Sequence, residues 1–269
     1  MEACQRVSLL PGIVPDRKTG SSLQVSLADT ATPEDNENSM TNKNDPGFQR
    51  ARTDQQKEVR KAIILDAARE LLETLSVREI SLRELSRKVD LSKANVVRYF
   101  ETREAVFFTL LNQALDDWLT DLRAELSADL PGDGIDATSF ARALASSIAR
   151  RPHICKLWSA LGGELESNLS PEAVRAFKLE HAQHQARLAR ICREFMPALT
   201  NDNARDFTSM FVVMIAGLWP FASPSASVQQ ALRDPALAAA RVDFVARLSH
   251  FLTISVTGFV ASGARPDAS

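Results

Sequence analysis

Two short helical patterns adjoin each other in the N-terminal half of this chain, and their spacing leaves few folds open. In the first, Ser81 and Glu84 form a capping-box pattern, which predicts the start of a helix. Its apolar stripe consists of Leu82, Leu85 and Val89. In the second, Ser92 is the predicted N-cap, and Val96 and Phe100 lie one turn apart on the core side. Two short helices joined by a tight turn predict a helix-turn-helix, whose second helix can enter the major groove of DNA.

The predicted outer face of the second helix carries Lys93, Asn95 and Arg98. Lys and Arg side chains can bind guanine edges or phosphate, and an Asn side chain can bind adenine. An ordinary helix pair with a charged, solvated face would show the same pattern, so the motif alone leaves both interpretations open.

Helical patterns also flank the motif on both sides. Residues 59–75 carry an apolar stripe with a spacing of four, and Thr102 is the predicted N-cap of a long helix over residues 102–126. The whole segment resembles the DNA-binding domain of the TetR family of bacterial transcriptional regulators. The matching pieces are residues 64–68, 80–86, 91–95 and 99–106.

This resemblance implies which side chains contact DNA. It implies base contacts from Lys93, Ala94 and Asn95, with Arg83 and Arg98 as further candidates. It implies contacts to the DNA backbone from Ser92, Tyr99 and Arg103. Two departures matter. Asp90 replaces the usual Gly, so we expect a left-handed Asp in the turn. Val97 replaces a Tyr that commonly binds phosphate, so we expect that contact to be lost.

Charge and composition agree with this interpretation. The chain has 269 residues, of which 45% are hydrophobic and 25% charged, as in ordinary soluble proteins. Its net charge is −2, but residues 50–104 hold thirteen Lys and Arg against ten Asp and Glu, a net of +3. A local basic excess at the motif favours docking on phosphate.

We predict an all-α protein in three parts. Residues 1–56 form a disordered N-terminal extension, since residues 30–54 contain few large apolar side chains. The basic end of this extension either lies along the DNA minor groove or has no role, and Met40 is an alternative start. Residues 57–104 form the helix-turn-helix DNA-binding domain. Residues 105–269 show helical patterns without strand-like alternation. The resemblance implies that they form a ligand-binding and dimerisation domain.

The last two predicted helices are apolar on more than one side, over residues 207–221 and 251–260. Such helices need cover on both sides, either inside a monomer or from a second copy. The resemblance favours a homodimer formed through these helices. It also implies a small-molecule ligand among the middle helices. Candidate lining residues are Phe140, Trp158, Phe177, His181 and Met210.

Other functions find less support in the sequence. We find no Ser nucleophile elbow, Gly-rich phosphate loop, zinc-protease pair or acid dyad, so we expect no enzyme and no cofactor. His181 and His184 have a spacing that can hold a metal, but a polar helix face explains them better, and we expect no metal. Cys4, Cys155 and Cys192 show no paired spacing, which indicates reduced thiols. Cys155 is an oxidant sensor or, the better interpretation, a buried inert thiol.

No secretion signal is visible, and the longest uncharged run, residues 207–232, has too short an apolar part to span a membrane. We therefore expect a cytoplasmic protein. The working hypothesis is a homodimeric TetR-like regulator that binds a palindromic double-stranded DNA operator and is released by a ligand. A repressor is the preferred form, although an activator would use the same domain. An architectural DNA binder would not need so large a second domain.

Overall fold

The computed structural model describes residues 46–130, 132, 134–166 and 169–263. These residues form α-helices, short 3-10 and π turns and loops, with no β-strand among them. The predicted all-α class is confirmed. The predicted disordered extension, as far as residue 45, lies outside the described residues, as do Cys4 and Met40.

The α-helices of the described chain follow one another in this order: α1 Pro46–Thr74, α2 Leu82–Lys88, α3 Lys93–Tyr99, α4 Arg103–Asp129, α5 Ala137–Ala149, α6 Pro152–Ala160, α7 Pro171–Phe195, α8 Asn201–Ala222, α9 Ala226–Ala231 and α10 Phe244–Gly263.

The predicted helix starts around the motif are confirmed by their caps. The hydroxyl oxygens of Ser81, Ser92 and Thr102 accept hydrogen bonds from backbone amides three residues later, at 3.2, 3.2 and 3.1 Å. The second half of the predicted Ser81 capping box does not form, because the Glu84 carboxylate pairs with Arg87 instead. Each cap fixes where a short helix begins, and so fixes which residues of α2 and α3 face outward.

The start of α1 differs from the prediction, and a proline lies inside the last turn of α8. Helix α1 begins at Pro46, so residues 46–56 are helical where we expected a disordered extension. Pro suits the first helical position, and the Gln, Lys, Glu and Arg that follow are good helix formers. Helix α8 runs through Pro220 to Ala222, because a proline in the last turn removes only one internal hydrogen bond.

The last helix is preceded by a break. Asp234 caps a 3-10 turn, Pro235–Ala240, and α10 begins only at Phe244. The break is held by Arg241, whose backbone is extended and whose guanidinium donates to the carbonyls of Leu232 and Arg233.

Helix α4 runs through the core and contacts α1 at one end and α5, α6 and α7 further along. At its middle, the buried Trp118 ring lies 6.0 Å from Phe211 on α8 and 6.2 Å from Trp158 on α6. One continuous helix therefore belongs to both the motif and the C-terminal helices, as the sequence predicted.

One segment, Pro235–Gly263, is long and apolar enough by composition to cross a membrane, which is weak evidence by itself. It differs from the uncharged run noted in the sequence. In the fold, α10 packs against α5 and α8 through one buried face, formed by Phe244, Leu248, Leu252 and Val256. A helix packed in this way is also what a soluble core requires.

Candidate nucleic-acid interface

The recognition surface stands on a small three-helix platform made by α1, α2 and α3. Ile64 of α1, Leu85 of α2 and Val96 of α3 are completely buried, and Phe100 closes the far end at 5% exposure. These inward side chains fix the rotation of α3 about its own axis. The opposite face of α3 must therefore point to solvent.

The structure places the predicted base-reading residues on that outer face. Lys93, Ala94, Asn95 and Arg98 are all exposed on α3, and the predicted backbone contact Ser92 is exposed at its start. The remaining candidates lie close in the chain: Arg83 is exposed on α2, and Tyr99 is half-buried at the end of α3. Polar and basic side chains thus cluster on a surface that could enter a DNA groove, and the individual contacts stay predictions.

The turn between α2 and α3 uses a left-handed residue. Asp90 has a φ of 51°, so the prediction made for this position is confirmed. The turn is closed by the Leu91 amide, which donates to the Ser86 carbonyl at 3.0 Å. Asp tolerates this conformation better than most residues with a Cβ, which explains how the turn forms without Gly.

Arg103 has a structural role that the sequence did not reveal. Its Nη1 donates to the carbonyls of Val77 and Ile80, at 3.3 and 3.4 Å, and its Nε donates to Glu104 at 3.1 Å. These bonds hold the start of α4 to the segment before α2. A contact from Arg103 to the DNA backbone therefore stays a prediction, and it would have to coexist with these bonds or replace them.

Helix α6 connects the C-terminal helices to the platform. The Lys156 ammonium donates to the carbonyl of Leu72 and, at 3.4 Å, to that of Leu75, both at the C-terminal end of α1. Burial lowers the pKa of Lys156, while Glu79 opposes this effect. Just beyond α6, Glu164 pairs with Arg78 at 3.1 Å. No periodicity in the sequence could have shown these contacts, since the partners lie more than eighty residues apart.

A small cavity lies between α4, α6, α7 and α8. It is lined by Leu115, Trp118, Leu119, Trp158, His181, His184, Gln185, Leu188 and Val212. Its volume is about 10 Å³, close to the minimum for a single water molecule. Two of the predicted ligand residues, Trp158 and His181, are among its walls. Most of the other walls, such as Leu115, Leu188 and Val212, follow an ordinary apolar core pattern and were not predicted, and neither was the polar Gln185.

Polar atoms without partners surround this cavity. Among the described residues, Trp158 Nε1, His181 Nδ1 and His184 Nε2 are buried and have no hydrogen-bond partner. Burial, helped by the nearby His184 and Lys178, lowers the pKa of His181 to about 4, and burial also lowers the pKa of His184. Both imidazoles are therefore neutral at pH 7, and each can donate or accept a hydrogen bond.

The other predicted pocket residues do not line the cavity. Phe177 stacks on Phe108 with ring centroids 3.9 Å apart and also stacks on His181. Phe140 is buried near Phe207 in another part of the core. Met210 is 40% exposed on α8. Cys155 and Cys192 are free and buried, and burial raises the pKa of both thiols, as expected for inert cysteines.

Two family models match this chain along most of its described length. Residues 64–110 match bacterial regulatory proteins of the tetR family, and residues 112–263 match the tetracyclin repressor-like C-terminal domain. The chain belongs to the TetR family. This family consists of transcriptional regulators that bind DNA, so the predicted class of protein is confirmed.

Individual TetR-family proteins share little sequence identity with the chain. The HTH-type transcriptional regulator BetI of Burkholderia thailandensis is 23% identical over 165 residues, which cover 61% of this chain and 81% of BetI. A TetR regulator from Rhodococcus sp. RHA1 is 11% identical with a TM-score of 0.48, covering 77% of this chain and 98% of its own. GusR of Salmonella enterica is 15% identical with a TM-score of 0.46, and the match covers 82% of this chain and 100% of GusR.

Proposed function

We propose that this TetR-family regulator is a repressor that binds a palindromic operator as a homodimer and is released by a small molecule. The main support is the exposed face of α3, on which Lys93, Ala94, Asn95 and Arg98 are held outward by the buried Val96. We keep residues 57–104 as the DNA-binding domain and residues 105–269 as the ligand-binding and dimerisation domain. A cytoplasmic location follows from this role.

In vitro selection from a random duplex library tests DNA binding directly. We expect the wild-type protein to enrich an inverted repeat. Asn95→Ala and Arg98→Ala should each weaken binding to it by about 1–3 kcal/mol, the usual value of a base contact. Arg142→Ala, on the exposed face of α5, is the matched control and should bind as the wild type does. Failure to enrich any sequence would exclude the proposal.

An apolar outer face on α8 and α10 supports the homodimer. Met210, Val213, Gly217 and Phe221 follow one another at helical spacing along α8, and Val213 and Phe221 are 69% and 68% exposed. On α10, Ile254 is 58% exposed. A second copy would cover both stripes with an isologous interface.

Charge insertion tests this interface. Val213→Glu and Ile254→Glu should each give monomers in sedimentation experiments at concentrations where the wild type is dimeric. Val228→Glu, an equally conspicuous change at an exposed valine of α9, should leave the dimer intact. A wild-type protein that sediments as a monomer would contradict the proposal.

The cavity between α4, α6, α7 and α8 is the proposed ligand site. Its apolar walls and its three unpartnered polar atoms suit a mostly apolar molecule that makes a few hydrogen bonds. Since the cavity holds only about 10 Å³, a ligand must push the surrounding helices apart. Helix α6 would carry this movement to α1 through Lys156, and a ligand weakens operator binding only by its preference for the expanded state.

Tryptophan fluorescence can detect such a ligand. In a Trp219→Phe background the remaining indoles, Trp118 and Trp158, both line the cavity. A compound from a small-molecule panel that shifts this emission should also release the selected duplex, and His181→Phe should weaken both effects. A compound that releases the duplex without changing the emission would place the ligand elsewhere. A promoter–reporter fusion then separates repression from activation.

A further inference from the structure

The basic charge of the N-terminal half is distributed unevenly. Residues 50–104 have a net charge of +3, and dividing them where the family match begins separates two very different parts. Residues 64–104 hold eight Lys and Arg against eight Asp and Glu, a net of zero. Residues 50–63 hold five against two, a net of +3. The whole basic excess therefore precedes the helix-turn-helix that the family shares.

This basic segment is part of α1, which begins at Pro46, well before the family match at residue 64. Residues 55–63 of this segment share an open groove of about 930 Å³ with the recognition helix. The groove is lined by Gln55, Gln56, Lys57, Val59, Arg60 and Ile63 of α1 and by Arg98 and Tyr99 of α3.

The cations of the groove are available to a ligand. Lys57, Arg60 and Arg98 are exposed. Their neighbour Lys61, by contrast, is paired with Glu58 at 2.8 Å. Val59 and Ile63, which are 55% and 40% exposed, add apolar surface between the charges. A groove with three free-standing cations beside a recognition helix complements a polyanion that the same helix also contacts.

We propose that the N-terminal half of α1 is a phosphate-binding element, in which Lys57 and Arg60 bind the DNA backbone beside the half-site read by Arg98 and the rest of α3. The inference rests on the proposed DNA-binding function. Non-specific affinity comes from counterion release when cations neutralise phosphates. Residues 64–104, with zero net charge, supply little of this non-specific affinity, so the basic N-terminal half of α1 supplies it.

The test compares Lys57→Gln/Arg60→Gln in the full chain with Arg142→Gln/Arg175→Gln, which removes the same charge at exposed positions of α5 and α7. Binding is measured against salt concentration with the selected duplex and with a scrambled duplex. Two lost phosphate contacts should reduce the salt slope by about 1.8 per protomer. At 0.1 M salt, the affinity for DNA should fall about 60-fold per protomer, because each phosphate contact makes binding about 8-fold tighter at 0.1 M than at 1 M salt.

The pattern of effects distinguishes the outcomes. The loss should be equal for both duplexes, the charge-preserving Lys57→Arg/Arg60→Lys should keep the wild-type slope, and the α5/α7 control should also keep it. An unchanged slope in Lys57→Gln/Arg60→Gln, or a loss confined to the selected duplex, overturns the inference while DNA binding stands. A wild type that binds neither duplex overturns both. Equal melting temperatures show that the variants are folded, as expected for exposed side chains.

Discussion

The partly buried charge cluster around Glu125 on α4 allows the sharpest prediction about stability. Its carboxylate accepts hydrogen bonds from Ser147 at 2.5 Å, Arg150 at 2.6 Å and Arg151 at 2.7 Å. Ser147 in turn accepts from the indole of Trp118 at 2.9 Å. The cluster therefore ties α4 to the end of α5 and the start of α6, around the central tryptophan.

The size of the effect follows from the pKa of Glu125. Burial would raise it, but the hydrogen bonds from Arg151, Ser147 and Arg150 outweigh burial and lower the pKa from 4.5 to about 2. This difference corresponds to a ceiling of about 3.4 kcal/mol, at 1.36 kcal/mol for each tenfold change in proton affinity. Because the side chain is 22% exposed, solvent screens part of this energy. We expect Glu125→Gln to cost about 2 kcal/mol at pH 7.

The pH dependence has a definite sign. Since the pKa is lower in the folded state, the stabilisation is present above the ordinary value of 4.5 and is lost as the pH falls from 4.5 towards about 2. Urea unfolding at one protein concentration should show that the gap in free energy of unfolding between the wild type and Glu125→Gln narrows as the pH falls over this range. Glu194→Gln, which breaks an exposed pair with Arg123, should cost under about 1 kcal/mol. A gap below about 0.5 kcal/mol at pH 7, or one independent of pH, would refute the reasoning.

Three further predictions concern the platform. Because Asp90 has a left-handed φ, Asp90→Gly should raise the free energy of unfolding by about 0.5–1 kcal/mol, and Asp90→Val should lower it by more. Urea titrations in which the Gly variant is less stable than the wild type, or the Val variant more stable, would contradict this. Ser92→Ala should lower the free energy of unfolding by about 1 kcal/mol by removing the cap of α3, and an unchanged urea midpoint in circular dichroism would contradict this. Lys156→Met should lower the free energy of unfolding by roughly 1–2 kcal/mol and speed amide hydrogen exchange at the end of α1. Unchanged exchange would show that Lys156 does not cap α1.

The sequence predicted features that depend on neighbouring residues. The caps at Ser92 and Thr102 and the outward face of α3 follow from spacings of three or four residues. The left-handed Asp90 was expected because it stands at the position of the family's usual Gly. The extension of α1 escaped this reasoning, because the apolar stripe begins only at Val59, and a polar helix has no period to detect.

Features that depend on distant partners could not be predicted. Arg103 looks like any exposed cation in the sequence, yet its guanidinium is held by carbonyls of residues 77 and 80. The cavity walls have the pattern of a core helix, and only the fold brings Trp158, His181 and His184 around one space. Met210 fits the same apolar pattern as Val212, but α8 turns Val212 towards the cavity and leaves Met210 exposed.

The π turn Leu161–Leu165 has a consequence for how this regulator can diverge. A π turn contains one residue more than an α turn, and each residue of a regular helix advances about 100° around the axis. Deleting Gly162 would therefore convert the turn to ordinary helix and swing Glu164 away from Arg78. A single codon lost or gained at this bend would thus change how the end of α6 is tied to the segment before α2, without altering any residue of α3.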